Sequence, residues 1–240
     1  MSENQITRWL LKPAVFVAAV VPAAILMYLT WAAYNGSQSA WPALTGNLSA
    51  NPLEDITHRT GDWALRFLCL TLAVTPLRRL TRWNGAIRFR RLLGLFAFFY
   101  AILHFLTWAI LDRYMSLNFP DGVMSWGAVR TFAASVVDDI YKRTFITIGF
   151  AVFVAMWPLA LTSTAGMIRR LGGRRWQRLH RAIYFAAMAA PVHYFLSVKA
   201  DFRQPAVYGL IVAMLLGFRV YWARTHARPP SRTEVSNISS

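Results

Sequence analysis

The chain has 240 residues, 56% of them hydrophobic, 15% aromatic and only 15% charged, with a mean hydropathy of +0.37. A soluble domain carries about 25% charged residues, so this composition excludes an ordinary soluble protein and indicates one integral membrane domain. The net charge of +16 sits in short loops between apolar runs, which is how cations orient a membrane protein and not how a nucleic-acid surface is built.

A membrane crossing needs about 20 mostly apolar residues. Six segments read as spans: 14–34, 62–77, 92–111, 144–163, 181–198 and 205–223. The expected fold is therefore an all-α integral membrane protein, a six-transmembrane-helix bundle over 14–223. A short N-terminus (1–13) precedes it, and a tail (224–240) without regular structure follows. No small-residue cleavage site follows the first apolar run, so it reads as a retained span. The second is short and contains Arg66. Pro22, Pro76, Pro158 and Pro191 fall within or at the ends of spans, which neighbouring helices tolerate in a bundle.

The connections set the orientation. Arg8 and Lys12 precede the first span, Arg78 to Arg91 crowd the second connection, Arg169 to Arg181 the fourth, and Arg224, Arg228 and Arg232 follow the last. That side holds 17 cations, against seven on the longer opposite loops. The positive-inside rule puts both termini in the cytoplasm. Within the outer connection 112–143, residues 126–141 read either as a short helix on the membrane surface or as an ordinary connecting loop. Cys69 is the only cysteine, which rules out an intrachain disulfide and any multi-thiolate metal site.

The chemistry lies in the histidines. His104 on the third span and His193 on the fifth each fall about twelve residues, roughly 18 Å, from the cytoplasmic edge. Two imidazoles on different helices thus meet at one depth. Spans three to six hold no Asp or Glu for a proton relay, and no third or fourth ligand offers itself for zinc or copper. Haem iron accepts histidine axially and suits an aromatic-walled slot between helices, which Phe96, Phe98, Phe99, Tyr100, Phe105, Trp108, Tyr184, Phe185, Tyr194 and Phe195 can line. His180 sits at the cytoplasmic edge as a further candidate ligand, while His58 and His226 read as solvated. Thirteen residues separate His180 from His193, which misses one helix face by roughly 140°. Either Pro191 re-aims His193, or His180 precedes the regular helix.

The runs NPLEDITHRTG (51–61), LAVTPLRR (72–79), RRLLGLFAFFYAILHF (90–105), LALTSTAGMIRRLGGRRWQRLHRAIY (159–184) and PVHYFLSVK (191–199) resemble the haem-binding membrane subunits of periplasmic protein-methionine-sulfoxide reductases. Those subunits fall within the wider ferric reductase-like transmembrane group. The resemblance covers residues 50–223. In the wider group two histidines on each of two helices, 13 or 14 apart, hold two stacked b-type haems. Here span five keeps His180 and His193 and span three keeps His104, but Arg91 stands thirteen residues before it. The resemblance implies a full ligand pair, His104 and His193, for an outer haem b. It implies an inner haem with His180 and an incomplete set, or FMN, where Arg91 grips a propionate or phosphate. It further implies electrons from a quinol or a cytoplasmic flavin reductase, delivered across the bacterial inner membrane to a periplasmic molybdopterin-containing catalytic subunit that repairs oxidised methionines. No GxGxxG-type nucleotide fingerprint occurs, so electrons are expected from a separate donor, and by itself the chain reads as an electron-transfer subunit. The rival readings are a ferric reductase-like or cytochrome b protein with another acceptor, and a metal- or proton-coupled transporter.

Overall fold

A computed structural model describes residues 5, 7–35, 48–49, 51–114, 117 and 125–226. Helix α1 (Lys12–Tyr34) follows wider π-type turns over Thr7–Leu11. Helix α2 (Pro52–Thr81) and a single 3-10 turn (Asn84–Ala86) lead into α3 (Ile87–Leu106), which widens to π geometry over Thr107–Tyr114. Then come α4 (Trp126–Lys142), α5 (Thr144–Leu161), two short helices α6 (Ala165–Leu171) and α7 (Gly173–His180), α8 (Ala182–Ser197) and α9 (Arg203–Thr225). The protein is an all-helical membrane protein.

Four helical stretches are long and apolar enough to cross a bilayer: Trp9–Ala32, Asn84–Ile110, Thr144–Leu161 and Arg203–Thr225. The second and fifth of the six anticipated spans do not meet that measure, for two reasons. The first half of α2 carries Glu54, Asp55, His58, Arg59, Asp62 and Arg66, and α8 has only 16 residues. Both nevertheless pack inside the bundle, α2 against α3 and α9, and α8 against α5 and α9.

Residues 52–61 form helix, where the sequence reading places a loop. The local signals are strong: the Asn51 side chain accepts from the Glu54 backbone N–H, Pro52 opens the first turn, and Glu54 and Asp55 face the positive end of the helix dipole. Arg59 then pairs with Asp55 one turn back, at 3.0 Å. Residues 126–142 are likewise helical, capped by the Ser125 hydroxyl accepting from Ala128 N–H at 3.0 Å. Of the two sequence readings of this stretch the structure shows the helix, with Trp126, Val129 and Val137 exposed. The tail from Arg228 lies outside the described residues.

The core is aromatic and sits between α2 and α3. Phe67 stacks on Tyr100 (5.3 Å, 14°) and on Phe96 (5.6 Å, 28°). Tyr100 is fully buried, and its hydroxyl inserts beside Pro22 of α1, donating to the Ala19 carbonyl at 2.8 Å and accepting from Ala23 N–H at 2.9 Å. A side chain wedged into a helix ladder in this way ties α1 to α3 and satisfies the groups it separates. On the other flank Phe105 stacks on Phe153 of α5 (4.9 Å, 10°). These two aromatic clusters leave a slot between them.

Candidate functional site

The slot is a cavity of about 530 Å³, within the range of ligand sites. Small residues open it: Gly61, Ala64, Ala97, Ala101, Gly149 and Ala190. Phe105, Phe150, Phe153 and Trp108 wall it, and His104 and His193 both face it. Their ring centroids lie 6.0 Å apart, with the planes at 76°. A metal–imidazole bond of roughly 2 Å on each side would span that gap.

The two imidazoles are held in the same way. His104 Nδ1 lies 2.8 Å from the Thr57 carbonyl of α2, and His193 Nδ1 lies 2.6 Å from the Phe145 carbonyl of α5. A carbonyl has no proton to give, so each Nδ1 carries the hydrogen and donates it. In a neutral ring this leaves Nε2 bare, the tautomer a metal-ligating histidine needs.

Four residues beyond each carbonyl is a glycine. A Cβ at Gly61 would meet the His104 ring at 3.0 Å, and one at Gly149 would meet the His193 ring at 2.6 Å. Each ring therefore lies directly on the backbone of a neighbouring helix, in a cradle of one carbonyl and one glycine. The pairs α2–α3 and α5–α8 repeat this device. Nothing in the sequence reading singled out Thr57, Gly61, Phe145 or Gly149, although the matched four-residue spacing is visible once the cradle is known.

A third metal ligand is missing: among the described residues no group of three or more His, Cys, Asp or Glu could hold a metal ion. Two imidazoles in an apolar slot suit a planar macrocycle that brings its own equatorial donors. The cavity residues thus fit a haem. His58, read from sequence as solvated in a loop, stands instead on α2 and lines the cavity with Asn51, Glu54, Arg143 and Lys199. It lies 3.8 Å from Glu54. Arg143 is anchored by Asp139 (3.3 Å), itself buried and also bound to Arg113 at 3.1 Å. Asp62, another lining residue that sequence reasoning passed over, faces Tyr194 and Arg66.

His180 does not line this cavity. It ends α7, and the chain turns at Arg181 before α8 begins. The thirteen-residue spacing from His193 is therefore explained by His180 preceding the regular helix. Its ring stacks on Trp176 at 4.0 Å, and its Nε2 lies 3.1 Å from the Thr162 hydroxyl. Thr162 spends its one proton on the Pro158 carbonyl, so the imidazole Nε2–H is the donor. Burial lowers the His180 pKa, and the nearby Arg90 guanidinium lowers it further. Arg91, the expected partner, is exposed; its neighbour Arg90 is the half-buried residue that faces His180. Arg90 is fourteen residues, close to four full turns, from His104, so the two share one face of α3.

Residues 60–191 match the family described as ferric reductase like transmembrane component. The chain is 47% identical over 216 residues to the protein-methionine-sulfoxide reductase heme-binding subunit MsrQ of Herminiimonas arsenicoxydans, covering 89% of this chain and 86% of that protein. It is 50% identical over 186 residues to MsrQ of Ralstonia nicotianae (77% and 78% covered) and 44% over 217 residues to MsrQ of Xanthomonas euvesicatoria pv. vesicatoria (90% and 88%). The chain belongs to the MsrQ family of ferric reductase-like transmembrane proteins.

Proposed function

We propose that the chain is a haem b-bearing subunit that carries electrons across the bacterial inner membrane to a periplasmic, molybdopterin-containing methionine-sulfoxide reductase, supporting repair of oxidised proteins. The observation that carries this reading is the pair of Nε2 atoms left bare by the Thr57 and Phe145 carbonyls, facing one apolar cavity. The relatives' printed name, heme-binding subunit of a protein-methionine-sulfoxide reductase, supports the cofactor and the partner.

In this reading His104 and His193 would hold haem b, which would supply reversible one-electron chemistry when bound. The carbonyl–glycine cradles fix both rings, so little reorganisation accompanies a change of charge between them. Phe105, Phe150 and Phe153 line the slot with apolar surface that would disfavour water beside the cofactor. Arg143, Lys199 and His58 at the polar mouth would pair with acidic groups of the cofactor or of the incoming catalytic subunit.

The finer proposals rest on the sequence. Six crossings with both termini cytoplasmic follow from the 17-to-7 cation asymmetry and make the His180 edge the donor side. A quinol or flavin reductase would deliver electrons there. A second redox group, haem or FMN, would be served by His180, with Arg90 facing it and the exposed Arg91 at the protein's rim.

The test is reconstitution of the purified chain in liposomes with a reductant on one side and the catalytic subunit with methionine sulfoxide on the other. The expected result is sulfoxide reduction that stops in His193→Ala. Turnover unaffected by that substitution would contradict the proposal. A reporter fused at Ser125 should behave as exported; cytoplasmic reporter activity there would reverse the orientation.

A further inference from the structure

The end of the bundle opposite the cavity holds three guanidinium groups on three helices, with no acid among the described residues to meet them. Arg219 of α9 bonds the Leu72 carbonyl (2.7 Å), the Thr75 hydroxyl (3.3 Å) and the Tyr184 hydroxyl (3.1 Å), and lies over the Tyr184 ring. Arg79, one turn beyond Thr75 on α2, lies over the ring of Trp222, which is itself one turn beyond Arg219. Arg90 of α3 is near enough to feel the charge of Arg219 and the Tyr184 hydroxyl.

Two nitrogens of this group, Arg79 Nη1 and Arg219 Nε, are buried without a hydrogen-bond partner. Buried N–H groups of this kind are rarely left unpaired. No acid among the described residues pairs them locally. No Asp or Glu occurs between residues 63 and 111, between 140 and 200, or between 202 and 226, and these segments build this end of the bundle. Three like charges without a counter-charge repel one another, and partial burial strengthens the repulsion. An anion would complement this charge.

We infer that Arg79, Arg219 and Arg90 form a binding site for a phosphate group, supplied by an anionic phospholipid headgroup. Guanidinium forks match phosphate geometry, and Arg holds phosphate through several charge-assisted bonds at once. The location suits a headgroup: Arg219 lies six residues, roughly 9 Å, before the end of α9, and α9 presents Leu210, Met214 and Val220 outward to lipid. The aromatic rings of Trp222 and Tyr184 supply the amphipathic interface that headgroups and arginines share. Phosphate on a mononucleotide such as FMN has the same chemistry, so the experiment separates the two sources.

The full-length protein with its haem is delipidated in detergent, and phosphatidylglycerol, phosphatidylcholine and FMN are titrated separately under native mass spectrometry. Wild-type protein should retain phosphatidylglycerol. Arg79→Gln should weaken that binding roughly tenfold or more, the loss of one charge-assisted contact, with the visible spectrum of the cavity haem unchanged. Arg219 also braces three helices, so Arg219→Lys is the second variant; it should bind lipid more weakly while the spectrum confirms folding. FMN competing with lipid in wild-type but not in Arg79→Gln protein would assign the same phosphate site to the nucleotide. Equal retention of phosphatidylglycerol by wild-type and both variants, with no effect on FMN, would overturn the site.

Discussion

His193 and His180 stand on neighbouring stretches of one chain, yet the fold uses their imidazoles in opposite ways. His193 gives its Nδ1 hydrogen to a backbone carbonyl and keeps Nε2 bare toward a cavity. His180 gives its Nε2 hydrogen to Thr162 and lies flat on Trp176. The difference comes from what each ring leans on. A glycine and a backbone carbonyl within reach let the first ring rest on a helix backbone, whereas a threonine whose own proton is already committed makes the second ring a donor. A histidine's capacity to ligate a metal is thus set by the helix beside it as much as by its own position.

The largest expected effect separates the two regions outright. His104→Ala or His193→Ala should remove most of the cavity haem, because neither cradle offers a substitute donor. His180→Ala should leave that haem in place. Haem content per chain, measured by pyridine haemochrome, checks both, and loss of the cavity haem in His180→Ala would merge the two sites.

A smaller effect grades the two cradles. Gly149→Ala drives a methyl to 2.6 Å from the His193 ring, whereas Gly61→Ala brings one to 3.0 Å from His104. Gly149→Ala should cost roughly 10–100-fold in haem affinity, the range for a disturbed supporting shell, and Gly61→Ala less. The reverse order would remove the backbone cradle as the cause.

His180→Ala should then slow reduction of the cavity haem by a donor at the arginine-rich end, several-fold and without altering the haem spectrum. Stopped-flow rates equal to wild type would leave His180 only a structural role.

The smallest effect is a pH dependence. His180 holds its proton less tightly folded than the ordinary value of 6.5. Below about pH 6.5 the unfolded chain therefore binds a proton that folded His180 resists, and stability falls as pH drops through that window. Thermal melts should show His180→Gln losing less stability than wild type between pH 7 and pH 5. Identical pH profiles would mean the ring is not desolvated.

Much of the site was legible in sequence, because a membrane span makes an imidazole conspicuous. His104 and His193 could be matched in depth by counting helical rise, and they do meet. The start of α2 was equally legible in the Asn51-Pro52 cap and the acids behind it, but the charges of that stretch made it read as a loop. Arg90 and Arg91 could not be separated by counting thirteen residues, since a single residue turns a side chain by about 100°. Arg219 was hidden because hydropathy averages one cation away within an apolar run. The cradles were out of reach, for Thr57 and Gly61 matter through where α3 rests on α2, which is a property of packing.

Under the proposed function, two imidazoles with bare Nε2 atoms would together hold a haem in the cavity between α2, α3, α5 and α8. Low-temperature electron paramagnetic resonance of the oxidised full-length protein tests it most directly. The account predicts a low-spin ferric signal typical of two imidazole ligands, lost or converted to high spin in His104→Ala and again in His193→Ala. A wild-type signal that is entirely high-spin, or a low-spin signal that survives unchanged in both variants, would contradict it.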